Sequence, residues 1–254
     1  MVETAEVDGR SVSFRRESGD APTLVCIHGS ADNHHGYDRL LAALPGLARV
    51  AIDSPGRLGS DGPPLESVPA LAAFVTRFIE THVEDDYVLV GHSVGGAIAI
   101  EHALTTASER FKGLVLLATG ARLRVQPMIL KLFEQLAESG TPPEPVPVLF
   151  QPDSDPAIIE ELREILHQTP PATGLADWSA ADRFDRMDDV TNIAVPVLII
   201  AGTADSLSPT KYAAYLHAQI PQSELLILEG AGHTFPMERA PEVAEAIRAF
   251  LSSL

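Results

Sequence analysis

The chain has 254 residues but only one cysteine, one tryptophan, and 18 lysines and arginines against 35 aspartates and glutamates. Each scarcity excludes something. A single cysteine, Cys26, leaves no internal disulfide and no zinc site built on several thiolates. Within "TLVCIHG" it reads as a small buried hydrophobe. A formal net charge of −17 with no basic run argues against nucleic acid or anionic lipid as a partner, because both demand a positive footprint. No stretch approaches the roughly 18 consecutive apolar residues of a membrane span, so none is expected. The opening "MVETAEVDGR" lacks the apolar centre of a signal peptide, which makes the cytoplasm the expected compartment.

What is present is ordinary in bulk and specific in order. Hydrophobic residues make up 45% and charged residues 21%, the proportions of a globular protein with one sizeable core. "AEVDGRSVSFRR" alternates apolar and polar residues around Asp8-Gly9, a hairpin signal. Short runs whose interior positions are consecutively apolar follow at 23–29, 49–53, 87–91, 113–119, 195–202 and 224–230. Runs of that kind suit strands of a parallel sheet, buried on both faces. Segments of helical period separate them at 69–83, 95–107, 208–220 and 240–254. The alternation predicts an α/β fold with a doubly wound, mostly parallel sheet, whose ligands bind beyond the carboxyl ends of the strands.

Between about 121 and 190 the alternation stops. Helical stretches "QPMILKLFEQLAES" and "PAIIEELREILHQ" flank the proline-rich "GTPPEPVPVLFQPD". This reads as a helical cap, 121–190, inserted into a core made of 1–120 and 191–254. Trp178, Phe133, Phe150 and Met128 lie in it; such residues pack helices more often than they line pockets, but they are the candidates for an apolar substrate pocket.

The polar residues at strand ends carry the chemistry. "YVLVGHSVGGAIAI" contains Gly91-His92-Ser93-Val94-Gly95 directly between a strand and a helix. That context suits a sharp turn which exposes a serine hydroxyl and aims the next helix's positive end at it. A serine needs a base to take its proton. Of nine histidines, His92 shares the tight turn and is badly placed; His28 suits shaping its own loop; His34 and His35 have no nearby carboxylate or cysteine to complete a metal site. His233 in "LLILEGAGHTFP" follows a buried strand through a glycine-containing loop and is the expected base. Asp205, three residues past "VPVLIIAG", is the expected acid that orients it, with Ser208 the better-placed helix cap; Asp53 ends a strand too but suits bracing the turn after it. Oxyanion donors are expected from the backbone N–H of Val94 and of Ser30, with Ala31 the alternative to Ser30.

Five marks in order, "HGS" at 28–30, "DSPGRLGS" at 53–60, "GHSVGG" at 91–96, "VPVLIIAGTADSLSP" at 195–209 and "EGAGHTFPMERAPE" at 229–242, resemble the α/β-hydrolase superfamily. The likeness is greatest to its capped esterase and lactonase branch, which shares its core with C–C bond hydrolases and haloperoxidases. It runs from near residue 23 to the C-terminus and leaves the cap unmatched. In the turn after the fourth strand the second glycine, Gly59, arrives one position late. Serine at 93 speaks against the haloalkane dehalogenase and epoxide hydrolase branches. The resemblance implies a Ser93–His233–Asp205 triad acting on small to medium uncharged carboxylic esters through an acyl-enzyme. No metal or organic cofactor is called for, and the chain is expected to work as a monomer or homodimer. A lactonase or a C–C bond hydrolase would use the same triad, and a non-catalytic ligand receptor is the remote alternative.

Overall fold

The computed structural model describes residues 1–254. Val2–Val7 (β1) and Arg10–Glu17 (β2) pair antiparallel through a turn in which Asp8 and Gly9 both have positive φ, the twist that matches right-handed strands. Six further strands follow: Asp20–Ile27 (β3), Leu47–Ile52 (β4), Tyr87–His92 (β5), Phe111–Leu117 (β6), Val197–Gly202 (β7) and Ser223–Leu228 (β8). The sheet order is β1-β2-β4-β3-β5-β6-β7-β8, antiparallel at β1, β2 and β4, and parallel from β4 onward. Each strand falls within two or three residues of the apolar run that announced it.

Nine helices cover the sheet: Asp38–Ala42 (α1), Val68–His82 (α2), Val94–Thr105 (α3), Pro127–Ser139 (α4), Pro156–His167 (α5), Pro171–Arg183 (α6), Thr210–Gln219 (α7), Phe235–Glu238 (α8) and Ala240–Leu251 (α9). Successive strand side chains point to opposite faces. Val25 and Ile27 of β3 therefore join one core with α2, α3 and α7, while Leu24 and Cys26 join a second with α1, α8 and α9. Cys26 is the buried hydrophobe expected, and burial pushes its thiol up to about 12. No helix is long and apolar enough to cross a membrane.

Between β6 and β7 the chain forms no strand, only an isolated bridge between Arg122 and Asp185. The insertion there carries α4, α5 and α6. The last of these has no sequence stripe of helical period, because Thr173, Gly174 and Asp177 occupy its buried side. A small apolar cluster joins insertion and core through Phe133, Phe150, Ile158 and Leu162 on one side and Ala31 and Met237 on the other.

Strand order reverses at one place. From β3 the chain moves outward to β4, and from β5 it moves the opposite way to β6. Loops on either side of such a reversal diverge and leave a crevice at the carboxyl ends of the strands. The loop after β3 (Ser30) and the turn after β5 (Ser93) are the two that border it.

Candidate active site

Ser93 sits between β5 and α3 with φ 55 and ψ −120, a conformation that costs a non-glycine residue about 1–3 kcal/mol. The surroundings hold it there. The Ser93 N–H donates to the Leu117 carbonyl at 2.9 Å, and the Ser93 carbonyl accepts from the Thr119 hydroxyl at 2.8 Å and the Gly96 N–H at 2.9 Å. Gly91 and Gly95 are required by close approach: a Cβ on Gly91 would lie 2.4 Å from the Gly95 carbonyl oxygen, and one on Gly95 would lie 2.1 Å from that of Ile27. The hydroxyl of Ser93 makes no hydrogen bond within the chain and faces a cavity of about 360 Å³.

His233, beyond β8, faces the same cavity. Its Nδ1 lies 2.8 Å from Oδ2 of Asp205, beyond β7, and both side chains are almost fully buried. Oδ1 of Asp205 accepts the N–H groups of Leu207 and Ser208, each at 2.9 Å. Burial pushes the Asp205 carboxyl up, but the His233 ring and those two amides outweigh it and hold the group below the ordinary carboxylate range. An ionised acceptor at Oδ2 fixes the proton of His233 on Nδ1 and leaves Nε2, which has no partner, turned to the cavity. Ser208 does not cap α7 as the sequence suggested; its N–H goes to Asp205, and Pro209 occupies the cap position.

His92 is not placed to act on Ser93. Its Nε2 donates to the backbone carbonyl of His233 at 3.0 Å, which ties the His233 loop to the serine turn. Burial and the neighbouring His233 push its ring down to about 3, so it is the neutral donor that this bond requires. Asp53 braces more than its own turn: its carboxylate takes the N–H and Nδ1 of His34 at 2.8 and 2.7 Å, while its carbonyl accepts the Ser60 hydroxyl.

The two candidates for the second oxyanion donor, Ser30 and Ala31, differ in their partners. The Ala31 N–H is spent on Oδ2 of Asp177 at 2.9 Å. The N–H groups of Ser30 and Val94 have no acceptor in the chain. Ala31 itself has φ 58, and its bond to Asp177 is what holds that turn.

Asp177 was not legible as a site residue. It projects from α6 into the core, where Oδ1 takes Nη2 of Arg57 at 2.9 Å with both side chains at most 2% exposed. Arg57 also donates through Nη1 to the carbonyl of Asp32 at 2.7 Å. The only trace in the sequence is that Arg57 stands in "DSPGRLGS" just before the displaced glycine, next to Leu58, which has φ 43. Replacing Asp177 by alanine leaves a buried guanidinium unpaired, so unfolding by denaturant is expected to show a loss of about 3–5 kcal/mol. A loss below about 1 kcal/mol would mean that the pair does not hold the insertion to the core.

The insertion residues named from the sequence divide. Trp178 and Phe133 line the cavity, with rings 5.9 Å apart. Met128 lines it only at the mouth, being 75% exposed. Phe150 is corrected: it is buried in the small apolar cluster against Ile158 and Leu162 and does not reach the cavity. Its neighbour Leu149 does, and the Leu149 carbonyl anchors the N–H and hydroxyl of Thr234, adjacent to His233. A smaller space of about 200 Å³ opens on the other side and shares Ser93, His233, Trp178 and Leu207 with the larger one.

Residues 24–246 match the model of the alpha/beta hydrolase family, and the chain belongs to that family. Among curated proteins, a pimeloyl-[acyl-carrier protein] methyl ester esterase of Neisseria meningitidis serogroup C is 27% identical over 257 residues, spanning 94% of this chain and 98% of the relative. Among solved structures, a thermophilic esterase is 32% identical with a TM-score of 0.81, covering 100% of this chain and 98% of that one. The enol-lactonase of Burkholderia xenovorans LB400 shares the fold at a TM-score of 0.84 and 21% identity, covering 98% and 100%.

Proposed function

We propose that this chain is a serine esterase that cleaves small to medium carboxylic esters carrying no negative charge. The observation that carries this reading is the meeting of side chains from two strand ends, Ser93 and His233, in one cavity, with Asp205 from a third buried behind the histidine. A strained serine with an unbonded hydroxyl lines the same cavity as a histidine whose Nδ1 is held by a buried carboxylate and whose Nε2 has no partner. His233 Nε2 takes the proton as Ser93 Oγ attacks the ester carbonyl, and Asp205 stabilises the imidazolium. The amides of Ser30 and Val94 receive the oxyanion, a pair of donors each contributing about 3–4 kcal/mol to the transition state. His233 then protonates the leaving alcohol, and water opens the acyl-enzyme with the same groups in reverse roles.

Two spaces meeting at Ser93 give the acyl and alcohol arms one each. The larger has no lysine or arginine in its lining, which disfavours a carboxylate-bearing arm. Esterase activity in the thermophilic relative and in the Neisseria protein supports the reaction class. Incubation with a fluorophosphonate probe, followed by peptide mapping, is expected to place one adduct on Ser93. A p-nitrophenyl ester series of increasing acyl length should show turnover that falls once the chain outgrows the cavity. Labelling at Ser93 without turnover of any ester, but with opening of a lactone or of a C–C bond, would replace the esterase reading. No labelling at Ser93 would end it.

A further inference from the structure

Besides Ser93 and His233, the larger cavity has two carboxylates in its lining, Glu144 at the mouth and Asp32, which lies in the loop after β3. Its carboxylate lies over Gly36, so closely that a Cβ there would fall 2.3 Å from Oδ2. Oδ1 accepts the Asn33 N–H at 2.7 Å, and no side chain donates to Oδ2. No lysine, arginine or histidine nitrogen comes within 4.0 Å of either oxygen. The charged groups around it are committed elsewhere. Arg57 is held by Asp177 and by the Asp32 carbonyl, and Asp53 is held by His34. Glu144, the other carboxylate of the lining, is satisfied by Arg163 at 2.8 Å and His167 at 3.1 Å at the mouth. The same cavity is lined by Trp178 and Phe133, with rings 5.9 Å apart, and aromatic faces attract cations.

We propose that Asp32 and the aromatic pair Trp178 and Phe133 form a cation subsite. An ester bearing an ammonium group on one arm is therefore taken in preference to its neutral isostere. The proposal rests on the esterase reading of the cavity and names the substrate class for it. A carboxylate in an apolar cavity without a counter-ion is costly, and burial pushes the Asp32 carboxyl up to about 7, against the pull of the Asn33 amide, Arg57 and the Gly29 backbone. A bound ammonium removes that cost by supplying the missing charge, and the ring faces replace part of its hydration.

The test reads binding without turnover. Calorimetric titration of the full chain with n-hexylammonium and with n-hexanol compares two ligands of similar shape, one of them charged. The titrations are run at about pH 8.5, where Asp32 is ionised, and in about 0.3 M salt, which screens the diffuse field of a chain of charge −17. The wild type is expected to bind the ammonium at least about 10-fold more tightly than the alcohol. Asp32→Asn should bring the two within about 2-fold, while Glu144→Gln should keep the preference. Hexanol binding reports whether the cavity of each variant is intact, and Asp32→Ser serves if the asparagine variant fails to fold. Equal affinities in the wild type, or a preference that survives in the Asp32 variants or disappears with Glu144→Gln, would overturn the proposal. A preserved ammonium preference in a protein that hydrolyses no ester would count against the esterase reading and not against the subsite.

Discussion

Ser93→Ala is expected to lower kcat on any ester the chain turns over by on the order of 10⁴–10⁶-fold, with KM little changed. The reason is that in the proposed mechanism the hydroxyl forms the acyl bond, while the apolar walls of the cavity are untouched. The remaining rate is that of a site which still offers the Ser30 and Val94 amides to the carbonyl, and it should exceed the water reaction by about 10³–10⁴. Stability should move little, because alanine inherits the same positive φ of 55. Ser93→Gly separates chemistry from strain: it too lacks the hydroxyl, but it relieves a backbone cost of about 1–3 kcal/mol and should unfold at higher denaturant. The measurements are steady-state rates and urea unfolding of the three proteins side by side. A Ser93→Ala enzyme that keeps more than about a hundredth of its activity on every ester would show that another group attacks.

Asp205→Asn is the second large effect, a fall in kcat of about 10⁴-fold with the fold intact. The asparagine side chain would keep an oxygen for the N–H groups of Leu207 and Ser208, which now bind Oδ1 at 2.9 Å each. Its amide nitrogen would then face Nδ1 of His233, a donor where an acceptor had been. The ring must present Nδ1 as acceptor and carry its proton on Nε2, which leaves nothing to receive the proton of Ser93. In the proposed mechanism, loss of the negative charge also removes the partner of the imidazolium formed in the transition state. Fluorophosphonate labelling of Ser93 should slow in parallel with kcat, since both need the same base. A near-normal rate would transfer the role to a different carboxylate. Asp53 is ill-suited, being bound to His34 through both oxygens.

The candidate site residues that the structure brings together from the sequence reading share one property. Ser93, Asp205 and His233 each lie within five residues of the end of an apolar run, in turns punctuated by glycine, or in Asp205's case by a following Ser-Pro. Strand ends of a parallel sheet lie on one rim, so local pattern alone brings distant residues together. Arg57 and Asp177 show the opposite case. They are 120 residues apart and their pairing depends on where the insertion settles, which no local pattern encodes. Phe150 failed as a pocket residue for a related reason: an aromatic side chain in the proline-rich link between two helices is apolar whichever way it faces, and only the packed structure places it in the cluster with Ile158. Helix α6 was missed because its stability comes from contacts of Thr173, Gly174 and Asp177 with the core, not from an apolar stripe of its own.

The order of apolar runs and the punctuation at their ends were sufficient for the parallel sheet, the serine turn and the chain order serine, aspartate, histidine. These follow from short-range physics: burial on both faces of a strand, the sterics of a tight turn, and the rise of a helix after it. Only the tertiary structure decided which amide near Ser30 is free, how the insertion is clamped by a buried ion pair, and that Asp32 stands without a counter-ion in the cavity. Those depend on which charged and polar groups find partners across long loops. Partner choice in a desolvated interior is a property of the whole packing, not of any segment.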